Sequence, residues 1–197
     1  MTKLGDIATI KTGYNFNRHS HAFNEQNNNE ENKVKIVLPK DISTISKLNE
    51  AELSETPLTV QKDEYYLKAE DILFVGKGNF NVALISQPIK AIPSSSFYKI
   101  KVTDKNFTSE YVYNFLKFNL DILSKNSRQS TERISSLTLT ELSNIDIPCI
   151  PLEKQLQLKR VVDYQQKELE ILEKLQHNLN ILTKGIFTKT IKEHING

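Results

Sequence analysis

Tryptophan is absent from the 197 residues, cysteine and methionine occur once each, and glycine and proline six times each. The lone Cys149 excludes an internal disulfide framework and a multi-cysteine zinc site. No apolar run reaches the ~18 residues of a membrane span, and no basic-then-apolar signal segment opens the chain. A soluble, cytoplasmic protein with no membrane partner is expected. A charge excess is also missing: 26 Lys and Arg face 24 Asp and Glu, for a net charge of +2. Residues 1–150 hold 18 of each sign, and the remaining 47 hold eight basic and six acidic. Non-specific nucleic-acid binders carry a basic field, because phosphate neutralisation drives their affinity. Any such binding here needs a local patch, specific base contacts or partners that supply positive surface.

Catalytic constellations are lacking too. Gly76-Lys77-Gly78 has neither the third glycine of a dinucleotide fingerprint nor the Gly-Lys-Ser/Thr end of a P-loop, so it reads as a turn with a projecting lysine. His19, His21, His177 and His194 form no metal-spaced cluster, and Ser94-Ser95-Ser96 lacks the glycines of a nucleophile elbow. Glu31-Asn32-Lys33 resembles the tail of a nuclease carboxylate motif but lacks a suitable upstream Asp. No Asn-Pro-Pro-aromatic segment is present to hold a flipped adenine. The expectation is a non-enzymatic chain with no metal and no cofactor of its own.

What is present is a break in texture at Ile147-Pro148-Cys149-Ile150-Pro151-Leu152-Glu153-Lys154-Gln155. Each proline fixes its own φ and pushes the preceding residue out of the helical region, and Pro151 suits a first helical position. Upstream lie short apolar runs and turns. Val34–Leu38, Tyr65–Leu67, Ile72–Val75, Val82–Ile85 and Phe97–Val102 read as strands. Thr108 can cap a helix with apolar positions Tyr111, Val112, Phe115, Leu116 and Ile122. Asn24–Asn32 is a polar loop with nothing to bury, and Leu139–Leu142 is a short helical turn. The predicted class is α+β: a mixed α/β globular domain over 1–147, a proline-containing linker over 148–151, and a long coiled-coil-like helix over 152–197.

The helix carries a near-heptad seam of Leu158, Val162, Leu169, Leu172, Leu179 and Ile186, with Gln165 and Gln176 at intervening positions and Leu175 and Leu182 widening the stripe. Thirty-odd residues make a rod of about 50 Å. Such a stripe asks for a second helix.

Three loops hold base-reading side chain types. The first, Lys11 to Arg18, carries Lys11, Tyr14, Asn15 and Arg18; the second carries Lys77, Asn79 and Asn81; the third, Asn126 to Arg133, carries Arg128, Gln129 and Arg133. Lys and Arg suit guanine acceptors, Asn and Gln suit the adenine edge, and nearby hydroxyls can hold phosphates. Polar loops are also simply polar, so composition alone leaves the assignment open.

These segments, taken in order, resemble the DNA specificity subunit of type I restriction-modification systems. Leu4 to Gly13 is similar to the family's domain opening, and Leu67–Phe74 with Gly76-Lys77-Gly78 to its central Asp-Ile-Leu strand and turn. Phe97–Phe118, with Glu110-Tyr111 opening the helix, resembles its strand-then-helix segment, and Arg128-Gln129-Ser130-Thr131 its late polar loop. Ile147–Gln155 matches its boundary, with Cys149 and Ile150 in place of the usual Leu and Pro, and Leu182–Phe187 is similar to the ending of its long helices. The resemblance implies a target-recognition domain on double-stranded DNA, working beside an adenine methyltransferase subunit and a restriction translocase subunit. S-adenosylmethionine, ATP and Mg would then belong to those partners. A full specificity subunit resembles two such domains and two such helices. One of each implies a half-size subunit that pairs as a homodimer, its helices packed antiparallel as a spacer with a recognition domain at each end, and reads an interrupted palindrome. The competing expectation is a coiled-coil adaptor that never touches DNA.

Overall fold

The computed structural model describes residues 1–16, 33–42, 52–57, 64–126, 128–129 and 135–195. It divides into two compact units, Met1–Gln155 and Leu156–Gly197.

The first unit is built around the run Ile72-Leu73-Phe74-Val75. A strand with no polar residue must be covered on both faces, and all four side chains are buried. The strands of this unit are β1 (Thr2–Lys3), β2 (Ala8–Thr12), β3 (Lys33–Val37), β4 (Ser54–Pro57), β5 (Ile72–Val75), β6 (Val82–Leu84), β7 (Ala91–Pro93), β8 (Phe97–Val102), β9 (Arg128–Gln129), β10 (Ser135–Ser136) and β11 (Asp146–Ile147). An antiparallel sheet of order β2-β8-β5-β6 places β5 inside it. On one face, Ile72 and Phe74 join Leu4, Ile7, Leu142, Ile147 and the buried side of the helix Ser109–Phe118, namely Tyr111, Val112 and Leu116. On the other, Leu73 and Val75 pack with Val37, Ile42, Leu53, Leu67, Ala91 and Phe97, beneath a second sheet of order β4-β3-β7.

Local chemistry fixes the ends of these elements. Asp71 is buried, and its Oδ2 accepts from the Lys68 N–H at 2.8 Å. That bond closes the turn before β5, in which Glu70 takes a left-handed φ of 67°. Thr108 caps its helix, its Oγ1 accepting from the Tyr111 N–H at 3.2 Å. Thr138 and Glu141 form a reciprocal capping box on the helix Leu139–Ser143. The ends of the unit meet where β1 pairs with β11, Thr2 opposite Ile147, reinforced by Lys3 Nζ to Asp146 at 2.8 Å.

Several expectations change in detail. Tyr65–Leu67 is a turn: the carbonyls of Glu64 and Tyr66 accept from the Lys99 ammonium, and Leu67 alone bridges to Ile89. Ala91–Pro93, unforeseen, pairs parallel with β3. Ile122 is exposed, because the Thr108-capped helix stops at Asn119 and a second helix, Leu120–Asn126, follows. Asn24–Asn32 lies outside the described residues.

The second unit belongs to one helix, Leu152–Ile195, of 44 residues, about 66 Å at the usual rise. Pro151 stands one position before it and accepts the first helical bond from the Gln155 N–H. Gln155 itself is part of the first unit, which is why the division falls inside the helix. Its side chain is 1% exposed. Oε1 accepts from the Thr108 N–H (2.9 Å) and hydroxyl (3.3 Å), and Nε2 donates to the carbonyls of Asn106 (2.7 Å) and Ile150 (2.9 Å). No helix among the described residues is long and apolar enough to cross a membrane.

Candidate nucleic-acid interface

Two of the polar loops singled out in the sequence bond through their backbones to one tight turn, Pro93–Ser96, and to Phe97 beside it, and β9 of the third lies next to the strand that reaches the second. From the first loop, the Gly13 N–H donates to the Phe97 carbonyl and the Tyr14 N–H to the Pro93 carbonyl, with Tyr14 bridged parallel to Ser94. From the second, the Gly76 N–H donates to the Ser96 carbonyl at 3.0 Å. The chain that follows the third loop reaches the second: Lys77 bridges to Ser136 of β10, and the Leu137 N–H donates to the Gly76 carbonyl at 3.0 Å. Ser135 and Ser136 pair with Gln129 and Arg128, which sets those two residues one strand away from Lys77. The Tyr98 hydroxyl closes the cluster by donating to the Leu137 carbonyl at 3.0 Å. Burial raises the pKa of this phenol, with a smaller push from Glu141.

Two glycines make the approach possible. A Cβ on Gly13 would stand 2.1 Å from the Ser94 carbonyl oxygen, and one on Gly76 would stand 2.3 Å from the Tyr98 ring. Gly13→Ala is therefore expected to cost about 1–3 kcal/mol or more through forced backbone movement. Gly78, at φ 85° with open space around it, should lose only about 1 kcal/mol as Gly78→Ala, from backbone conformation alone. Chemical denaturation of the two variants checks the order; equal losses would mean that the loop contact at Gly13 is not tight.

Within the cluster the individual side chains differ. Lys11 is exposed and pairs with Glu64 at 3.2 Å. Tyr14 is half-buried, edge-on to Phe16 and Tyr65 with centroids 5.0 and 5.2 Å away, and its pKa is raised by burial and by Tyr65. Asn15 is half-buried, whereas Lys77 and Asn79 are exposed. Asn81 is engaged with the fold: its Oδ1 accepts from the Val82 N–H and its Nδ2 reaches the Ile42 carbonyl at 3.4 Å. Arg128 and Gln129 are placed by their backbone in β9. Arg18 and Arg133 lie outside the described residues.

Beside these loops is a recess of about 140 Å³ lined by Lys11, Thr12, Gly13, Glu64, Tyr65, Pro93 and Lys99. Lys99 is mostly buried and 3.9 Å from Asp71. Burial lowers its pKa, and Asp71 opposes that shift. Its bonds to the Glu64 and Tyr66 carbonyls mark it as a brace for the Tyr65 turn. Sequence reasoning missed this brace and the Pro93–Ser96 hub; the available signals were the glycines at 13 and 76, which demand a close neighbour without naming it. Among the described residues, no group of three or more His, Cys, Asp or Glu is placed to hold a metal ion.

The fold has relatives among solved structures. An HsdS subunit from Thermoanaerobacter tengcongensis superimposes over 89% of this chain and 39% of its own, with a TM-score of 0.62 at 17% identity. A chain from a type I R-M system solved to explain complex assembly and conformational transition gives 0.64 at 15% identity, over 90% and 40%. A type I restriction-modification S subunit from M. genitalium gives 0.54 at 13% identity, over 88% and 40%. The chain thus spans about two fifths of the length of each. The family described as the type I restriction modification DNA specificity domain matches residues 1–189. With that match over nearly the whole sequence, and with the same architecture, the chain belongs to the type I restriction-modification DNA specificity domain family.

Proposed function

We propose that this chain is a DNA-reading subunit, non-catalytic in itself, that presents the three-loop cluster to one half of an interrupted site. Reading takes place in the major groove, where all base pairs are distinguishable. The long helix pairs with the helix of a second copy, and the pair sets the distance between the two half-sites. Two-fold symmetry then gives a palindromic, interrupted target. A DNA adenine methyltransferase subunit and a restriction translocase subunit dock on this assembly, bring S-adenosylmethionine, ATP and Mg, and carry out base flipping, methyl transfer and cleavage. The observation that carries this reading is the convergence of the loops of Tyr14 and Gly76-Lys77 on the turn Pro93–Ser96, with β10 linking Lys77 to β9, in a chain whose helix exposes a leucine stripe.

Partner subunits that supply phosphate contacts are consistent with a near-neutral chain. The adaptor reading draws on the same neutrality: Lys11 pairs with Glu64, and Lys101 lies 3.7 Å from Glu70. The two separate in solution. Arg128→Ala and Arg133→Ala should each weaken binding to the cognate duplex by ~1–3 kcal/mol if the contact is bidentate to guanine, measured by equilibrium titration. Unchanged affinity and unchanged sequence choice in both variants would remove that loop from the interface, and a wild type indifferent to DNA would favour the adaptor.

A further inference from the structure

The helix seam contains two amides, Gln165 and Gln176, that do not fit an apolar interface. Along Leu152–Ile195 the seam runs Leu158, Val162, Gln165, Leu169, Leu172, Gln176, Leu179, Thr183, Ile186, alternating four and three residues apart. The leucines are about half exposed, Leu172 at 51%, and both glutamines are exposed. A seam amide that meets a leucine on the facing helix loses water and gains no partner, an expensive outcome.

We infer that the antiparallel pair implied by the family resemblance takes one register, with Gln165 of each copy facing Gln176 of the other and the two-fold axis passing between Glu170 and Ile171. This deepens the pairing proposed above and rests on it. In this register Leu169 meets Leu172, Val162 meets Leu179 and Leu158 meets Thr183, so every seam residue from Leu158 to Thr183 has a facing layer. Sliding by one heptad in one direction puts Gln165 against Thr183 and Gln176 against Leu172. Sliding the other way puts Gln165 against Leu169 and Gln176 against Leu158. Of these three antiparallel registers, the proposed one alone lets the amides bond to each other.

The flanking positions favour the same solution. A parallel pair also matches Gln with Gln, but it sets Glu168 against Glu173 and Lys154 against Lys159 across the interface. The antiparallel register replaces these with Glu168 beside Leu175, Gln166 beside Glu173 and Lys159 beside Asn180. It also lays Phe187, 68% exposed, against Leu152, 43% exposed. The like-charge contact it keeps, Lys154 with Lys189, falls at the ends of the seam.

The register fixes the length of that spacer. The starts of the two helices stand about 55 Å apart along the pair, and a one-heptad slip changes that by about 10 Å, or about three base-pair steps of B-DNA. Gln165 and Gln176 therefore determine the gap between half-sites without touching DNA.

The test uses single-cysteine proteins in a Cys149→Ser background, since Cys149 is exposed. A mixture of Gln165→Cys and Gln176→Cys chains should give a disulfide-linked dimer under mild oxidation, and neither protein alone should. Self-crosslinking by either one means a parallel pair and overturns the register. So does crosslinking in Leu172→Cys with Gln176→Cys, or in Gln165→Cys with Leu169→Cys, but not in the first mixture. A dimer that no mixture crosslinks overturns it as well. If light scattering finds the Cys149→Ser protein monomeric, the pairing itself has failed. As a second readout, Gln165→Leu/Gln176→Leu should keep the dimer and broaden the half-site spacings it accepts; a single unchanged spacing counts against the amides fixing the spacer.

Discussion

Leu172→Glu is expected to abolish the proposed pairing and leave monomers, while the Met1–Gln155 unit stays folded. Leu172 lies near the middle of the seam with half its surface open, and it makes no part of the buried clusters of the first unit. Pairing would enclose two new carboxylates, one from each chain, with no cation opposite them. Enclosing an uncompensated charge costs several kcal/mol, so association should weaken about 10²- to 10³-fold, at 1.4 kcal/mol per decade. Light scattering reports the mass, and thermal melting followed in the near-ultraviolet reports the body. A variant that stays dimeric would show that the seam is not the interface. Ile171 and Ile181 lie off the seam, 64% and 58% exposed. Substituting them should leave the pairing intact.

Gln155→Leu is expected to destabilise the first unit by about 3–5 kcal/mol. The leucine fits the space but abandons the Thr108 N–H and the carbonyls of Asn106 and Ile150, each of which Gln155 satisfies. An orphaned buried polar group costs about 1–3 kcal/mol. Thr108 is also the cap of the helix Ser109–Phe118, so that helix end loosens too. Gln155→Glu sharpens the test. A carboxylate can accept from Thr108 but cannot donate to the two carbonyls, so burial and those oxygens raise its pKa. The variant's relative stability is then present at low pH and falls as pH rises through the raised value. Urea denaturation at pH 4 and pH 7 checks both variants. A loss below 1 kcal/mol for Gln155→Leu would mean that the amide is not a clamp.

The parts legible in the sequence were those governed by local rules. Ile72–Val75 and Phe97–Val102 are strands because β-branched and aromatic residues lie between turn signals, and Thr108 caps its helix as hydroxyls do. The long helix follows from its heptad spacing and from Pro151 at its entrance. What stayed hidden depends on distant neighbours. Ala91–Pro93 is short and ends in proline, and its pairing with β3 joins segments far apart in sequence. Tyr65–Tyr66 reads as strand by residue type, yet Lys99, brought from β8, holds that segment as a turn. Gln155 was visible as part of a boundary pattern, but its four bonds reach mainly to Asn106 and Thr108. The loop residues were legible by type; that Gly13, Gly76 and Ser136 bring them together is a property of the fold.

The claim that two copies joined by this helix read one site is tested most directly by the DNA each form selects from a random duplex pool. The wild type should return two inverted half-sites at one fixed spacing, and Leu172→Glu a single half-site. One uninterrupted, non-palindromic sequence from both proteins, or no enrichment by either, contradicts the account.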